Sequence, residues 1–304
     1  MHTEAVDTAT YETKRLQLFE RHGFVGETRW VSDSDGRRTW LLDRVGETRP
    51  TVLIHGGLSQ AGSWCLVAGR LDGRVVIPDR PGWGLSYPFD YGSVDFRQGG
   101  VDWLSTVVDS LDVEAVDLVG ASIGGYIAAS FALTHPDRVN RLVMIGAMPG
   151  LHGKIPLPLR LMGNRVIGPL MARMKITDPE VNRKRVFANL VAHPENVPVD
   201  VLQDDVDAMS LAGAGHTGYT MMRSMCTLGG FHPSVMIADE LHRLDCPVLF
   251  LWGDSDSFMP MDVGRQVADR MPDARLHVVA DAGHSLELDQ PHVVAEQVQA
   301  FLHG

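Results

Sequence analysis

Gly120-Ala121-Ser122-Ile123-Gly124 joins a strand-like run, 115–119, to a helix-like run, 125–129. A serine hydroxyl is a weak nucleophile at neutral pH, so it must protrude from a sharp turn where a base can reach it and backbone amides can face a developing oxyanion. The two glycines that flank the serine leave room for the helix to pack against the strand. The stretch predicts a nucleophile elbow; a glycine-rich loop without chemistry is the alternative.

Two later loops contain the side chains that such a serine needs. The apolar run 247–252 ends in Gly253-Asp254-Ser255-Asp256, and the β-like run 276–280 ends in Asp281-Ala282-Gly283-His284. A lone carboxylate or histidine after a strand is ordinarily a turn or surface residue. The order serine, acid, histidine, each after a predicted parallel strand, is typical of enzymes built on a strand-turn-helix nucleophile. The sequence therefore predicts a triad of Ser122, an aspartate at 254 or 256, and His284.

Strand-like and helix-like segments alternate along most of the chain. An amphipathic helix is predicted at 11–21, and two β-like runs, 25–31 and 38–45, are joined by a hairpin turn at 33–36. Helix-length segments separate the later strands, which is the pattern of right-handed crossovers in a parallel sheet. These strands are predicted at 51–55, 75–79, 115–120 and 141–146.

The alternation stops after Gly150. From 151 to 241 the sequence indicates helices broken by prolines and contains no strand-like run. About ninety residues is too long for a loop inside a compact domain. We therefore expect a core domain of 1–150 and 242–304 and a helical cap at 151–241, called the insert below. Thioethers adapt to irregular apolar surfaces, so we expect some of its methionines to line a pocket and the rest to fill the core. They are Met162, Met171, Met174, Met209, Met221, Met222 and Met225.

From about Gly26 to its end, the insert excepted, the chain resembles the α/β-hydrolase superfamily, and in particular its capped esterases and carbon–carbon bond hydrolases. Besides the elbow, the resemblance rests on three stretches: Val52-Leu53-Ile54-His55-Gly56-Gly57, Asp79-Arg80-Pro81-Gly82-Trp83-Gly84-Leu85-Ser86 and Thr134-His135-Pro136-Asp137-Arg138-Val139. It implies an α/β fold with a mostly parallel eight-stranded sheet flanked by helices, and a helical cap inserted after strand six.

The resemblance also implies a role for each site residue. Ser122 attacks a carbonyl carbon, and His284 takes its proton. The family's spacing, an aspartate three residues after a glycine, selects Asp256 over Asp254 as the acid that orients the imidazole. The oxyanion would be held by the backbone N–H groups of Ile123 and Gly57.

Three assignments around these residues stay secondary. Leu58 is the alternative second donor to the oxyanion, because the conformation of its loop cannot be derived from sequence. His55 is expected to organise that loop. Glu287 and Asp289 are weaker candidates for the acid and are expected to face solvent or to cap the helix that starts near Pro291.

Composition limits the other classes of function. The chain has 304 residues, a formal net charge of −11 and no Lys/Arg-rich run, which argues against a nucleic-acid surface. Its three cysteines lack metal-type spacing, and no His-Glu-x-x-His, P-loop or dinucleotide fingerprint occurs, so we predict neither a metal nor a cofactor. Without a signal peptide or membrane span, a soluble, cytoplasmic protein with a small-molecule substrate is expected. The oligomeric state stays open, a homodimer included.

The main functional prediction is a carboxylesterase or lactonase that forms an acyl-enzyme with a small to medium, largely apolar substrate. An alternative is the hydrolysis of a carbon–carbon bond in a vinylogous diketone, as in ring-cleavage product hydrolases. That family usually has tryptophan directly after the catalytic histidine, where this chain has Ser285. A small-molecule receptor or a non-hydrolytic biosynthetic catalyst is the alternative from a different class, since one fold serves many functions.

Overall fold

The structure is a computed structural model that describes residues 7–153, 155–174, 176–271 and 273–304. Eight strands form one sheet, and two short strands form a separate hairpin. The eight are β1 (Glu27–Ser32), β2 (Arg38–Arg44), β3 (Thr51–Ile54), β4 (Val75–Pro78), β5 (Val116–Ala121), β6 (Val139–Ile145), β9 (Val248–Gly253) and β10 (Ala274–Val279); the hairpin is β7 (Cys226–Thr227) and β8 (Gly230–Phe231).

Helices cover both faces of the sheet or belong to the insert. In chain order they are α1 (Thr8–Arg21), α2 (Cys65–Ala68), α3 (Phe96–Asp109), α4 (Ile123–Thr134), α5 (Leu157–Met162), α6 (Ile167–Met171), α7 (Pro179–Arg185), α8 (Val199–Ser210), α9 (Ala214–Met225), α10 (Met261–Ala268), α11 (Leu286–Asp289) and α12 (Pro291–His303). Short 3-10 turns connect several of them.

The strand order is β1-β2-β4-β3-β5-β6-β9-β10, with β1 and β2 antiparallel to their neighbours and the other pairs parallel. The central strands are buried along their whole length, as their runs of Val, Leu and Ile require when helices lie on both faces. Because β5, β6, β9 and β10 are parallel neighbours, the loops after them meet at one edge of the sheet. The predicted α/β fold class, with its eight-stranded and mostly parallel sheet, is confirmed.

Between β6 and β9 the chain forms the helices α5 to α9. One expectation for this segment was wrong: Cys226–Thr227 and Gly230–Phe231 pair as an antiparallel hairpin. Each strand is only two residues long, too short for hydrophobic alternation to show in the sequence.

The first helix binds the insert through buried charges. Arg15 is fully buried, and its guanidinium donates to Asp79, after β4, at 2.6 Å and to Asp204, on α8, at 3.3 Å. Lys14, beside it, contacts Asp207 at 2.8 Å. A buried charge left without its partner is strongly destabilising, so these contacts hold α8 in one position over the core.

Candidate active site

Ser122 lies in the sharp turn between β5 and α4. Its backbone has φ 50° and ψ −113°, one of few positive φ values at a residue other than glycine in the described chain. Such a conformation costs about 1–3 kcal/mol and persists only where the surroundings fix it. Here the Ser122 N–H donates to the Ile145 carbonyl at 2.8 Å, and its own carbonyl accepts the N–H of Tyr126 at 3.1 Å. The strain therefore lies at the residue predicted to be the nucleophile.

The two glycines that flank the serine are required by close backbone packing. A methyl group on Gly120 would lie 2.4 Å from the carbonyl carbon of Gly124, and one on Gly124 would lie 2.1 Å from the carbonyl oxygen of Ile54. Both distances are far below van der Waals contact. Any side chain at these positions would push α4 away from β3 and β5.

Asp256 and His284 form a buried hydrogen-bonded pair. Asp256 Oδ2 lies 3.0 Å from His284 Nδ1 and also accepts the N–H of Ala147 at 2.9 Å, while Oδ1 accepts the N–H of Phe258 at 2.8 Å. Burial alone would raise the pKa of Asp256, but His284 and the two backbone donors outweigh burial and lower it. An ionised carboxylate only accepts hydrogen bonds, so Nδ1 carries the proton and Nε2 is left as the base.

Ser122 and His284 lie on either side of the segment that follows β6. The Ser122 N–H reaches the Ile145 carbonyl, and a methyl group on Gly146 would lie 2.5 Å from the His284 carbonyl oxygen. In the part of the chain that the structure describes, no hydrogen bond joins the Ser122 hydroxyl to His284. Hydrogen bonds of this kind often tighten only when substrate binds.

The two predicted oxyanion donors come from neighbouring segments. A methyl group on Gly57 would lie only 2.7 Å from Cδ1 of Ile123, and one on Gly56 would lie 3.7 Å from Cβ of Ser122. The loop after β3 is thus pressed against the elbow. Of the methionines in the insert, Met221 reaches this loop, with its Cε 3.7 Å from the same methyl position on Gly57.

The other acidic candidates of the sequence have different surroundings. Asp254 is exposed and accepts from the Ser255 hydroxyl beside it and from the Asp281 N–H in the loop after β10. Asp289 does not cap α12, which was the expectation; it binds the N–H groups of Ala192 and His193 in the insert and that of Gly283 in the histidine loop.

Asp289 therefore links the insert to the loop that positions His284. A second bond at the same place joins the Ser285 N–H to the Leu190 carbonyl at 2.8 Å. The histidine loop also packs closely against the insert at Gly283, where a methyl group would lie 2.9 Å from insert backbone atoms. The position of the histidine is thus coupled to the position of the insert.

Glu287, also expected at the surface, is buried instead. It lines a cavity of about 30 Å³ between the insert and the core, together with Gln60, Ser63, Asp205 and Ser285. Burial raises the pKa of Glu287 to about 7, and burial raises that of Asp205 to about 6 against the hydrogen bonds of its amide partners. Glu287 Oε2 has no hydrogen-bond partner among the described atoms.

Glu287 should make stability depend on pH. Below the ordinary pKa of 4.5 the carboxyl is neutral in both states; above it, the unfolded chain ionises while the folded protein keeps its proton up to about pH 7. Unfolding therefore becomes easier between about pH 4.5 and 7, by about 3 kcal/mol in total. We expect Glu287→Gln to remove this loss, measured by urea unfolding at pH 5 and pH 8.

The exposed Glu20 on α1 provides the control for that experiment. Glu20→Gln is expected to retain the pH dependence of the wild type. If Glu287→Gln also retains it, the Glu287 carboxyl ionises as readily in the folded protein as in the unfolded chain.

Three further features concern metal ligands, cysteines and helix hydrophobicity. In residues 7–153, 155–174, 176–271 and 273–304, no group of three or more His, Cys, Asp or Glu side chains is arranged to hold a metal ion. Cys65, Cys226 and Cys246 are buried and unbridged. Among the helices of these residues, none combines the length and hydrophobicity that a membrane span requires.

Comparison with known proteins agrees with this architecture. A relative from Cupriavidus pinatubonensis, named 2-hydroxy-6-oxononadienedioate/2-hydroxy-6-oxononatrienedioate hydrolase, is 30% identical, and the match covers 91% of this chain and 96% of the relative. A 2-hydroxy-6-oxo-6-phenylhexa-2,4-dienoate hydrolase from Burkholderia cepacia is 26% identical over 80% of this chain and 84% of its own. The crystal structure of the carboxylesterase CesB from Bacillus subtilis superimposes with a TM-score of 0.76 at 22% identity, covering 97% of this chain and 98% of that one; at this identity it shows the fold alone.

Residues 51–297 match the alpha/beta hydrolase family profile, a span that contains the elbow, the Asp256–His284 pair and the loop after β3. With the sheet order and the relatives above, this match shows that the chain belongs to the alpha/beta hydrolase family and has the fold of a hydrolase.

Proposed function

We propose that this chain hydrolyses a carbon–carbon bond beside the ketone of a conjugated 2-hydroxy-6-oxo acid, through an acyl-enzyme on Ser122. The observation that carries the chemistry is the buried Asp256–His284 pair at the sheet edge where the strained Ser122 turn ends β5. The substrate class is taken from the relative from Cupriavidus, whose match covers 91% of this chain. The sequence alone favoured ester hydrolysis and gave carbon–carbon bond hydrolysis as the alternative, and this proposal reverses that order.

In the first step, His284 Nε2 accepts the hydroxyl proton of Ser122 while the oxygen attacks the ketone carbon. The ionised Asp256 stabilises the imidazolium that results. The former ketone oxygen becomes an oxyanion, and the N–H groups of Gly57 and Ile123 donate to it. Each such donor contributes about 2.7–4 kcal/mol to the transition state.

In the second step, the tetrahedral centre collapses and the carbon–carbon bond breaks. The step uses the keto tautomer of the substrate, in which the proton of the 2-hydroxyl has moved to C5, so that C5 lies next to the C3=C4 double bond. The electron pair of the C5–C6 bond then passes through C3=C4 to the C2 ketone oxygen, and the resulting dienolate accepts the proton on His284. Carbon is a poor leaving group unless its charge is delocalised in this way, which is why a vinylogous diketone suits the site. Water, deprotonated by His284, then hydrolyses the ester on Ser122 and releases a carboxylic acid.

Ester hydrolysis is the second candidate, and Ser285 is the observation that favours it. Ring-cleavage product hydrolases usually have tryptophan after the catalytic histidine, whereas here a small side chain lies there and lines the cavity beside Glu287. With an ester, the same residues act, and an alkoxide leaves instead of a carbanion.

A direct comparison of two substrates separates the candidates. We expect kcat/KM for 2-hydroxy-6-oxo-6-phenylhexa-2,4-dienoate to exceed that for p-nitrophenyl butyrate by at least about tenfold, equivalent to about 1.4 kcal/mol of transition-state binding. Loss of the dienoate absorbance and release of nitrophenol give the two rates. A ratio in favour of the ester would replace the first candidate by the second. Saturable binding of both without turnover would contradict hydrolysis altogether.

A further inference from the structure

Arg80 is a fully buried arginine without an acidic partner. Among the described residues it forms no ion pair, and its Nε has no hydrogen-bond partner. The preceding residue, Asp79, is already bound to Arg15 at 2.6 Å and to the N–H groups of Ala61 and Leu85. Buried charges in proteins are usually paired, so an unpaired guanidinium at this place calls for a specific role.

The guanidinium contacts the loop that carries the proposed oxyanion donors. Arg80 Nη2 donates to the Gly56 carbonyl at 2.6 Å and to the Gly57 carbonyl at 2.9 Å. Nη1 lies 3.9 Å from Sδ of Met221, which packs against the same loop. The main polar partners of this charge are thus two backbone carbonyls.

These two contacts fix the direction of the amides. In a trans peptide the C=O and N–H bonds point in opposite directions, and no cis peptide bond occurs in the described chain. The Gly56 carbonyl shares its peptide with the Gly57 N–H, and the Gly57 carbonyl shares its peptide with the Leu58 N–H. Since Arg80 holds both carbonyls, both candidate donors point away from the guanidinium.

His55 contacts the same Gly56 carbonyl. Its Nε2 accepts the backbone N–H of Arg80 at 2.9 Å, so the ring proton is on Nδ1, which donates to the Gly56 carbonyl at 3.0 Å. Burial, with the nearby Arg80 charge, lowers the pKa of His55 well below its ordinary value, so the ring is neutral. Arg80 is therefore the only cation in this set of contacts.

A positive charge on the carbonyl side also polarises a peptide towards its N–H end. The N–H then becomes a stronger donor to negative charge that develops on the far side. In a buried site this field is weakly screened. A carboxylate paired with Arg80 would cancel much of it.

We propose that Arg80 is a positioning residue for the oxyanion hole, which orients and polarises the Gly56–Leu58 amides towards the tetrahedral intermediate. This inference rests on the proposed serine-hydrolase function and adds a residue to it. Arg80 itself does not touch the reacting atoms, so its loss should change the rate of reaction far more than substrate binding.

The test compares Arg80→Met, Arg80→Lys and a matched control, Arg44→Met. Arg44 also donates to two backbone carbonyls, those of Leu71 and Gly73, and forms no ion pair among the described residues. Arg44 is the last residue of β2 and pairs with Val75 at the start of β4, whereas Arg80 follows the end of that strand. The control therefore matches the loss of a guanidinium that donates to two carbonyls, at a half-buried position away from the elbow.

We expect Arg80→Met to slow phosphonylation of Ser122 by a fluorophosphonate, and to lower kcat, by about 100- to 1000-fold, with KM within about threefold of the wild type. Arg80→Lys should recover part of the loss because it keeps the charge. Arg44→Met should react at the wild-type rate. Thermal melts of all three variants report folding separately.

Two results would overturn the inference. One is an Arg80→Met protein that reacts as fast as Arg44→Met; the other is a loss that appears in KM rather than kcat. If Arg80→Met does not fold, Arg80→Lys decides the question. An Arg80→Lys protein with normal melting and no loss of kcat would show that the positive charge is what the site requires. An Arg80→Lys protein with normal melting but without activity would overturn the inference. A wild type that the fluorophosphonate does not label contradicts the proposed function itself, and the inference with it.

Discussion

Ser122→Ala is expected to lower kcat about a millionfold, to the background of binding and oxyanion stabilisation alone. Loss of the nucleophile of a serine protease has an effect of this size, because the remaining groups no longer act as a unit. The measurement is kcat for whichever of the two substrates the wild type turns over. The far-UV spectrum and melting temperature should be unchanged, since alanine adopts the same backbone.

Two further variants make that experiment specific. Ser122→Gly should be equally inactive and yet more stable by about 1 kcal/mol, because glycine adopts φ 50° without strain. Ser130→Ala, a buried serine on the same helix α4, should retain activity within about twofold. Residual activity above about one per cent in Ser122→Ala would show that another group is the nucleophile.

Asp256→Asn is expected to lower kcat about ten-thousand-fold. Asparagine donates as well as accepts, so the bond to Nδ1 no longer fixes the imidazole in the tautomer with a free Nε2. The imidazolium of the transition state also loses the charge that stabilises it. The measurement is kcat/KM beside a thermal melt, which separates chemistry from folding.

Asp254→Asn is the matched control, two residues earlier in the same loop. Asp254 is exposed and binds only the Ser255 hydroxyl and the Asp281 N–H in the loop after β10, so we expect less than about a tenfold loss. If Asp254→Asn were the inactive variant and Asp256→Asn the active one, the Asp256–His284 bond would have no part in turnover.

Much of the core was predictable because its signals are local. Buried parallel strands are continuous runs of Val, Ile and Leu bounded by glycine or proline, and this places β3, β4, β5 and β9 within two residues of their observed ends. The elbow is recognisable from a short motif, in which Gly120 is required by the backbone of Gly124 and Gly125, while Gly124 is required by the more distant carbonyl of Ile54.

The remainder depends on contacts between distant segments. Nothing near Glu287 in sequence shows that Gln60 and Asp205 enclose it, or that Asp289 meets Ala192. The sequence around Arg80 predicts only a turn. The structure is needed to show that Arg80 is buried beside two carbonyls and forms no ion pair with a described carboxylate. Propensity and spacing depend on residues that are close in sequence, whereas the surroundings of these groups are set by contacts between segments that are distant in sequence.

The most direct test of a serine hydrolase centred on the elbow is to treat the folded wild-type protein with a fluorophosphonate and to locate the adduct by peptide mass spectrometry. We predict one adduct per chain, on the peptide that contains Ser122, and none in His284→Ala, where no base activates the hydroxyl. An adduct on a different serine, or a folded wild type that stays unlabelled, would contradict the assignment of Ser122 as the nucleophile.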